Sequence, residues 1–277
     1  MRLCAFADEA SSSLDGQVCA LLRNDIHLLE MRGVNGKNIK ELSLTEAKEV
    51  KKILDDSGIS VWSLGSPVGK IALDGALYAH FDEFLHILEL AELLGTGRIR
   101  MFSFYPVKEL CAEKQRELVF KNIEKMLDAT PKNILLCHEN EKDIFGETAE
   151  NCLALHNTFP RLRAVFDPAN FVQCGEDVIR AWKKLGGFVE YLHIKDADVQ
   201  GVNVPAGEGE GHLPEIVSAF LSHGGDVMTI EPHLNNFTGL SALENGGWAN
   251  LGRFHYKNNN ESFDAACSAF RNILKNL

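Results

Sequence analysis

Eight apolar, strand-like runs recur along the chain, and each is followed by a segment with helical periodicity. The predicted strands span residues 3–7, 27–32, 59–64, 98–104, 133–139, 162–167, 188–196 and 227–231. The predicted helices span about residues 11–23, 43–56, 77–91, 107–128, 147–156, 176–185, 213–223 and 261–275. Short continuous apolar runs that alternate with helices are typical of strands buried on both faces of a parallel sheet.

Eight strand–helix units predict an α/β fold, a single (β/α)8 TIM barrel that covers residues 1–277 as one domain. A doubly wound open sheet is the competing architecture, and it would carry a glycine-rich dinucleotide-binding turn after the first strand. The segment after residue 7 reads Asp-Glu-Ala-Ser-Ser-Ser and contains no glycine. The pattern therefore favours the barrel.

Composition and charge exclude several classes of binding partner and of fold. The formal net charge is −11, which opposes binding to nucleic acid or to an anionic membrane. The seven cysteines form no CxxC pair, so a disulfide framework or a zinc ribbon is not expected. With neither a signal-peptide pattern nor an apolar run long enough to span a membrane, the chain is expected to be a soluble cytoplasmic protein with a small-molecule partner.

Four consecutive predicted strands end on a side chain that can bind a metal: Glu139, Asp167, His193 and Glu231. The C-terminal ends of barrel strands meet at the face that carries the active site, and strand alternation can turn these side chains inward together. Three carboxylates packed together repel each other unless a cation neutralises them. The sequence therefore predicts one divalent ion, with Mn²⁺, Co²⁺, Zn²⁺ and Fe²⁺ all suited to mixed oxygen and imidazole ligands.

Such a centre suits chemistry on adjacent oxygens. A divalent ion can polarise a hydroxy-ketone or hydroxy-aldehyde and favour an enediolate, while neighbouring carboxylates act as bases. This predicts a metal-dependent isomerase or epimerase of a monosaccharide, a sugar phosphate or a related polyol. An inosose-type dehydratase shares the enediolate step and is one alternative, and a barrel that binds metal or sugar without turnover is another.

Further residues are candidates for substrate binding. Lys195 shares the predicted inward face of His193, where it could bind a substrate oxygen or pair with a ligand carboxylate. Glu30 and Arg32 end the second strand at the same rim and are predicted to contact substrate or to form an ion pair. Tyr105 lies at a strand end, where contact with a substrate hydroxyl is expected.

Phosphate recognition stays open at this stage. Residues 207–211 read Gly-Glu-Gly-Glu-Gly, but Glu208 and Glu210 would repel a phosphate, so this is not a phosphate-binding loop. A flexible loop that brings Glu208 to the substrate is the interpretation retained. Lys70 and Arg253 are candidates for phosphate contacts, and the choice between a free and a phosphorylated sugar is not made.

At these residues the chain resembles the xylose-isomerase-like (sugar phosphate isomerase/epimerase) superfamily. The resemblance runs from residue 3 to about residue 274 and is carried by Glu139 and the segments 166–170 (Phe-Asp-Pro-Ala-Asn), 193–196 (His-Ile-Lys-Asp) and 230–233 (Ile-Glu-Pro-His). It implies one metal held by the four predicted ligands, and a homodimer or homotetramer. In the ketose 3-epimerase branch it also implies that Glu139 and Glu231 are the catalytic proton-transfer pair.

The chain departs from that branch at Asn170. The branch places a substrate-binding histidine three residues after the sixth-strand aspartate, and this chain has asparagine there. Asparagine can form a hydrogen bond with a sugar hydroxyl but cannot donate as an imidazolium. Asn170 is therefore predicted to bind substrate, while 3-epimerisation in particular is put in doubt.

Overall fold

In the computed structural model, which describes residues 1–238, 240 and 254–277, eight parallel strands form a closed barrel. The strands are β1 (Arg2–Ala5), β2 (Leu28–Met31), β3 (Ser60–Leu64), β4 (Arg98–Met101), β5 (Leu135–Glu139), β6 (Arg163–Phe166), β7 (Val189–Ile194) and β8 (Val227–Ile230). Each strand pairs in parallel with its neighbours in sequence, and β8 closes the barrel on β1. The predicted barrel is confirmed, and the open sheet is excluded.

Nine helices lie in the part of the chain that the structure describes. They are α1 (Leu14–Arg23), α2 (Leu44–Asp56), α3 (Leu77–Leu94), α4 (Ala112–Ala129), α5 (Ala149–Thr158), α6 (Pro168–Gln173), α7 (Val178–Leu185), α8 (Leu213–Ser222) and α9 (Asn259–Lys275). A capping box precedes α2, because Ser43 and Glu46 each accept a hydrogen bond from the other's backbone amide.

The predicted start of α4 at about residue 107 was wrong, since the helix begins at Ala112. The side chain of Gln115 explains the difference. Its Oε1 accepts a hydrogen bond from the Val107 amide at 3.0 Å, and its Nε2 donates to the Leu110 carbonyl at 3.0 Å. The side chain thus holds the preceding residues in a turn whose amides do not join the helix.

The lower part of the barrel is filled by apolar and weakly polar side chains. They form one buried cluster of Cys4, Cys137, Val165, Tyr191 and Val227. Because side chains alternate along a strand, the next inward positions towards the C-terminal ends are polar ones on the same strands. The predicted inward faces of β5, β6 and β7 are therefore correct. No described helix is long and apolar enough to cross a membrane.

The glycine-rich loop after β7 wraps around one carboxylate. The amides of Gly207, Gly209 and Gly211 donate to Asp196 at 2.8, 3.1 and 2.9 Å, and the Ala197 amide donates at 3.0 Å. A Cβ on Gly209 would lie 2.3 Å from Asp196 Oδ1, so the wrap needs a residue without a side chain there. The loop has the form of an anion-binding nest, and its anion is the chain's own Asp196.

We expect Asp196→Ala to lower the free energy of unfolding by about 3 kcal/mol, because it leaves several buried amides without an acceptor. Asp198→Ala is the matched control two residues away. Its Oδ1 accepts from the amides of Gln200 and Val202 in a more open turn, so its loss should cost about 1 kcal/mol or less. Urea unfolding of both variants without added metal tests this, and equal stabilities would contradict it.

Candidate metal centre at the barrel mouth

The four predicted ligands come together at the C-terminal end of the barrel. Glu139 is the last residue of β5, Asp167 follows β6 as the N-cap of α6, His193 lies in β7, and Glu231 follows β8 directly. One ligand atom from each lies within 4.8 Å of the others. All four residues are at most 2% exposed.

Each carboxylate of this group has one oxygen that accepts no hydrogen bond of regular geometry from the described residues. These oxygens, Oε2 of Glu139, Oδ2 of Asp167 and Oε2 of Glu231, are buried. Their nearest charged neighbours are Arg100 Nη1 at 3.2 Å, Lys195 Nζ at 2.8 Å and His193 Nδ1 at 2.9 Å, respectively. Leaving a buried carboxylate oxygen in this state costs free energy, and a divalent cation coordinated by these oxygens would remove that cost. The donor set of three carboxylates and one imidazole therefore fits a metal ion.

The imidazole of His193 is oriented by carboxylates at both ring nitrogens. Its Nδ1 lies 3.0 Å from Glu139 Oε1 and 2.9 Å from Glu231 Oε2, while its Nε2 lies 3.2 Å from Glu30 Oε2. Glu30 is fully buried below the ring and also accepts a hydrogen bond from the Tyr191 hydroxyl at 2.7 Å. A ligand histidine in proteins typically donates its second N–H to a carboxylate, and Glu30 has that position.

Charges of opposite sign control the ionisation of His193. Burial lowers the pKa of the imidazole, but the nearby carboxylates of Glu139, Glu231 and Glu30 outweigh burial, so the net pKa is raised. The ring is thus held as a cation among carboxylates when no metal neutralises them.

Lys195 forms an ion pair with a predicted ligand. Its Nζ lies 2.8 Å from Asp167 Oδ2 and 4.0 Å from Glu231 Oε2. Burial raises the pKa of the Asp167 carboxyl to about 6, although Lys195 opposes the rise. The sequence left two roles open for Lys195, which were binding a substrate oxygen and pairing with a ligand carboxylate. The structure shows the pair with a carboxylate.

Arg32 is bound on three sides by carboxylates. Its guanidinium makes a bidentate pair with Asp8 at 2.9 and 3.0 Å, and it donates to Glu9 at 3.3 Å and to Glu231 Oε1 at 2.7 Å. Glu9, Glu231 and His233 form a second group of potential metal ligands within 4.8 Å of one another. The Arg32 guanidinium contacts all three, so this second group already contains a cation.

Sequence reasoning missed Arg100, Asp8, Glu9 and Asn140. Arg100 lies in β4 with Nη1 3.2 Å from Glu139 Oε2 and 3.7 Å from Glu231 Oε1. An arginine in the middle of a predicted buried strand was a signal that could have found it, because a buried guanidinium needs partners.

Asn170 lies on α6, a short helix that was not predicted. The Asp167 carboxylate caps this helix by accepting the Asn170 amide at 3.0 Å, and Pro168 occupies its first position. Asn170 Nδ2 donates to the Asn140 carbonyl at 2.9 Å and to Glu139 Oε1 at 3.3 Å. The side chain therefore steadies Glu139, while its Oδ1 accepts no hydrogen bond from the described residues.

A cavity of about 480 Å³ lies beside the four-residue group. Arg32 and Arg100 line it and touch Glu231 and Glu139, so the two guanidiniums stand between the cavity and the predicted ligands. Tyr105, a predicted substrate contact, also lines the cavity.

Other predicted substrate contacts lie in different places. Glu208 is exposed and does not line this cavity. It lies near Tyr256, whose pKa is raised mainly by burial and further by the Glu208 carboxylate. Lys70 lines the cavity and pairs with Glu141 at 2.9 Å. Arg253 lies outside the described residues.

Solved structures with the same fold include enzymes of different reaction classes. The D-psicose 3-epimerase of Clostridium cellulolyticum, solved with D-tagatose, aligns over 99% of this chain and 99% of its own with a TM-score of 0.76 and 13% identity. The probable 3-DHS dehydratase AsbF of Bacillus anthracis, involved in petrobactin synthesis, aligns over 98% and 99% with a TM-score of 0.74 and 14% identity. The IolI protein, solved with a zinc atom, aligns over 100% and 99% with a TM-score of 0.71 and 16% identity.

At these identities the likeness shows the shared fold alone. No curated protein matches the sequence. The sequence model described as xylose isomerase-like TIM barrel matches residues 26–250, which is well over half of the chain. The chain therefore belongs to the xylose isomerase-like TIM barrel family.

Proposed function

We propose that this protein is a metal-dependent enzyme that isomerises or epimerises a monosaccharide or sugar phosphate by proton transfer through an enediolate. The observation that carries this proposal is the buried group of Glu139, Asp167, His193 and Glu231, in which one potential ligand atom from each residue lies within 4.8 Å of the others. A solved relative of the same fold is an epimerase with bound D-tagatose, which supports a sugar as the substrate class.

One divalent ion, Mn²⁺, Co²⁺, Zn²⁺ or Fe²⁺, would be held by these four residues. When bound, the ion supplies Lewis-acid polarisation of adjacent carbonyl and hydroxyl oxygens, which acidifies the hydrogen on the α-carbon that bears the hydroxyl group. The zinc in the IolI structure supports a centre of this kind.

Glu139 and Glu231 are the proposed proton-transfer pair. They come from β5 and β8 and reach His193 Nδ1 at 3.0 and 2.9 Å, so they approach the centre from two different strands. Burial raises the pKa of Glu231, but Lys195 and His193 outweigh it and bring the pKa well below its usual range. Glu231 is therefore ionised without a metal, which is the form that a metal ligand or a general base must have, and Glu139 would return the proton in the proposed reaction.

The remaining predicted substrate residues divide into two roles. Glu30 and Arg32 act as positioning residues, since Glu30 orients His193 and Arg32 holds Glu231 Oε1. Asn170 and Tyr105 act on the substrate: Asn170 Oδ1 can accept a hydrogen bond from a sugar hydroxyl, and Tyr105 lines the adjoining cavity. Glu208, exposed on its loop, would need the loop to move before it could reach the substrate.

A dehydratase is the second candidate. Two features favour it: asparagine stands at position 170 instead of the epimerase-branch histidine, and the Lys195 ammonium lies 2.8 Å from Asp167. A lyase needs an acid beside its base to protonate the departing hydroxyl, and Lys195 is a proton donor at the centre. The dehydratase of the same fold supports this alternative.

We expect Glu231→Gln to slow exchange of a substrate α-proton with deuterated water by about 10²–10⁴-fold, because it removes a general base. NMR of the metal-loaded protein with a panel of ketoses, aldoses and inososes measures this. Glu190→Gln is the control, since Glu190 lies in β7 and pairs with Arg98 and Arg163 away from the centre. In the wild-type protein, exchange without loss of water identifies an isomerase, whereas a keto-deoxy product identifies a dehydratase. An unchanged exchange rate in Glu231→Gln contradicts the role of Glu231 as a general base.

We expect Glu30→Gln to weaken metal binding by about 10–100-fold, because it removes the carboxylate that orients the His193 ring. Competition with a chelator measures the affinity, and elemental analysis of the wild-type protein should find about one divalent ion per chain. Ser63→Ala is the control, since Ser63 contacts the Tyr191 hydroxyl but not the histidine. A wild-type protein that binds no divalent metal would refute the proposed centre.

A further inference from the structure

The cavity beside the centre is basic in a protein that is acidic overall. Its wall carries five cationic side chains and two acidic ones, against a formal net charge of −11 for the whole chain. The cations are Arg32, Lys37, Lys40, Lys70 and Arg100, and the acids are Asp8 and Glu41. A concave surface that concentrates one sign of charge attracts ligands of the opposite sign.

The two acids on the wall are already engaged. Asp8 is held by the bidentate pair with Arg32, and Glu41 Oε2 accepts the Asn38 amide at 2.7 Å. The charged groups that line the wall are therefore mainly cations, and each of them also pairs with a carboxylate for which a ligand would have to compete.

Arg100 has the most specific position in this wall. It is 2% exposed, its charged contacts are Glu139 and Glu231, and its Nε makes no hydrogen bond to any described residue. If a metal coordinates these two glutamates, as the proposed function requires, their charge is shared with the ion. The ion pairs of Arg100 then become weaker, and its Nε remains a donor that a ligand oxygen can use.

Lys70 and Arg100 both lie near the aromatic ring of Phe102. Lys70 Nζ lies 4.5 Å from the centre of the Phe102 ring, and the Arg100 guanidinium carbon lies 4.9 Å from it. Lys37 and Lys40 line the outer part of the cavity with exposed ion pairs to Glu46 and Glu83, which a ligand can displace at little cost. Cations thus run from the rim of the cavity to the ligand group.

We propose that the substrate carries an oxyanion, either a phosphate ester or a carboxylate, which binds between Arg100 and Lys70 while its carbonyl end reaches the metal centre. This inference rests on the proposed function and narrows its substrate class to anionic sugars or sugar acids. Arginine and lysine bind both kinds of oxyanion through charge-assisted hydrogen bonds.

The test compares a neutral sugar with two anionic ones on the metal-loaded protein. Titration calorimetry at low ionic strength would use D-fructose, D-fructose 6-phosphate and 2-keto-D-gluconate, with inorganic phosphate as competitor. We expect at least one anionic probe to bind about tenfold or more tightly than D-fructose. Comparison of the affinities for D-fructose 6-phosphate and 2-keto-D-gluconate then distinguishes a phosphate ester from a carboxylate.

Lys70→Met should remove most of this preference, whereas Lys51→Met should keep it, because Lys51 pairs with Asp55 on the exposed face of α2. If Lys70→Met does not fold, the wild-type protein still decides the matter, since rising salt must weaken the anionic probes and not D-fructose. The proposal is overturned by equal affinities, by a preference that survives Lys70→Met, or by no binding of any probe and no competition from inorganic phosphate.

The outcomes separate this inference from the proposed function. A protein that holds a metal and exchanges the α-proton of a neutral sugar, but shows no preference for anions, refutes the anionic substrate alone. A protein that binds the anionic probes through Lys70 but holds no divalent metal refutes the proposed centre alone.

Discussion

Repulsion among buried carboxylates is the constraint on which the mouth of this barrel depends. Six of them lie there in the described part of the chain: Asp8, Glu9, Glu30, Glu139, Asp167 and Glu231. An ionised carboxylate taken out of water is strongly destabilising unless a cation or several donors compensate it. The hydrogen-bonded barrel prevents these side chains from moving apart, because the four predicted metal ligands lie on or directly after neighbouring strands. Cationic side chains at the mouth supply positive charge to these carboxylates.

That charge comes from side chains on different strands and does not equal the charge of the carboxylates. Arg32 binds Oε1 of Glu231 from the β2 side, and Lys195 binds Asp167 from β7. Arg32, Arg100, Lys195 and the cationic ring of His193 face six carboxylates in the described structure, so the residues alone do not balance the charge. A divalent ion in the four-residue group brings the site closer to balance, which is the physical basis of the proposed centre. Arg32 supplies the cation in the neighbouring group, so the proposal needs only one ion.

Local patterns were sufficient for the barrel and for the four residues at strand ends. The apolar runs identified all eight strands, and their period of two turned Glu139, Asp167 and His193 to the inside. The same reasoning failed where a side chain competes with the backbone, as when Gln115 delays the start of α4. It also missed α6, which begins because the Asp167 carboxylate caps it. Such contacts depend on geometry that periodicity does not encode.

The sequence by itself determined the architecture and the inward direction of strand-end side chains that could hold a metal, because these follow from patterns of neighbouring residues. Only the tertiary structure decided which charges meet. Arg32 and Glu231 are 199 positions apart, and His193 and Glu30 are 163 positions apart. Electrostatic and hydrogen-bonding partners are selected by separations of about 3 Å in space. Such separations exist only after the barrel has closed, and no spacing along the chain predicts them.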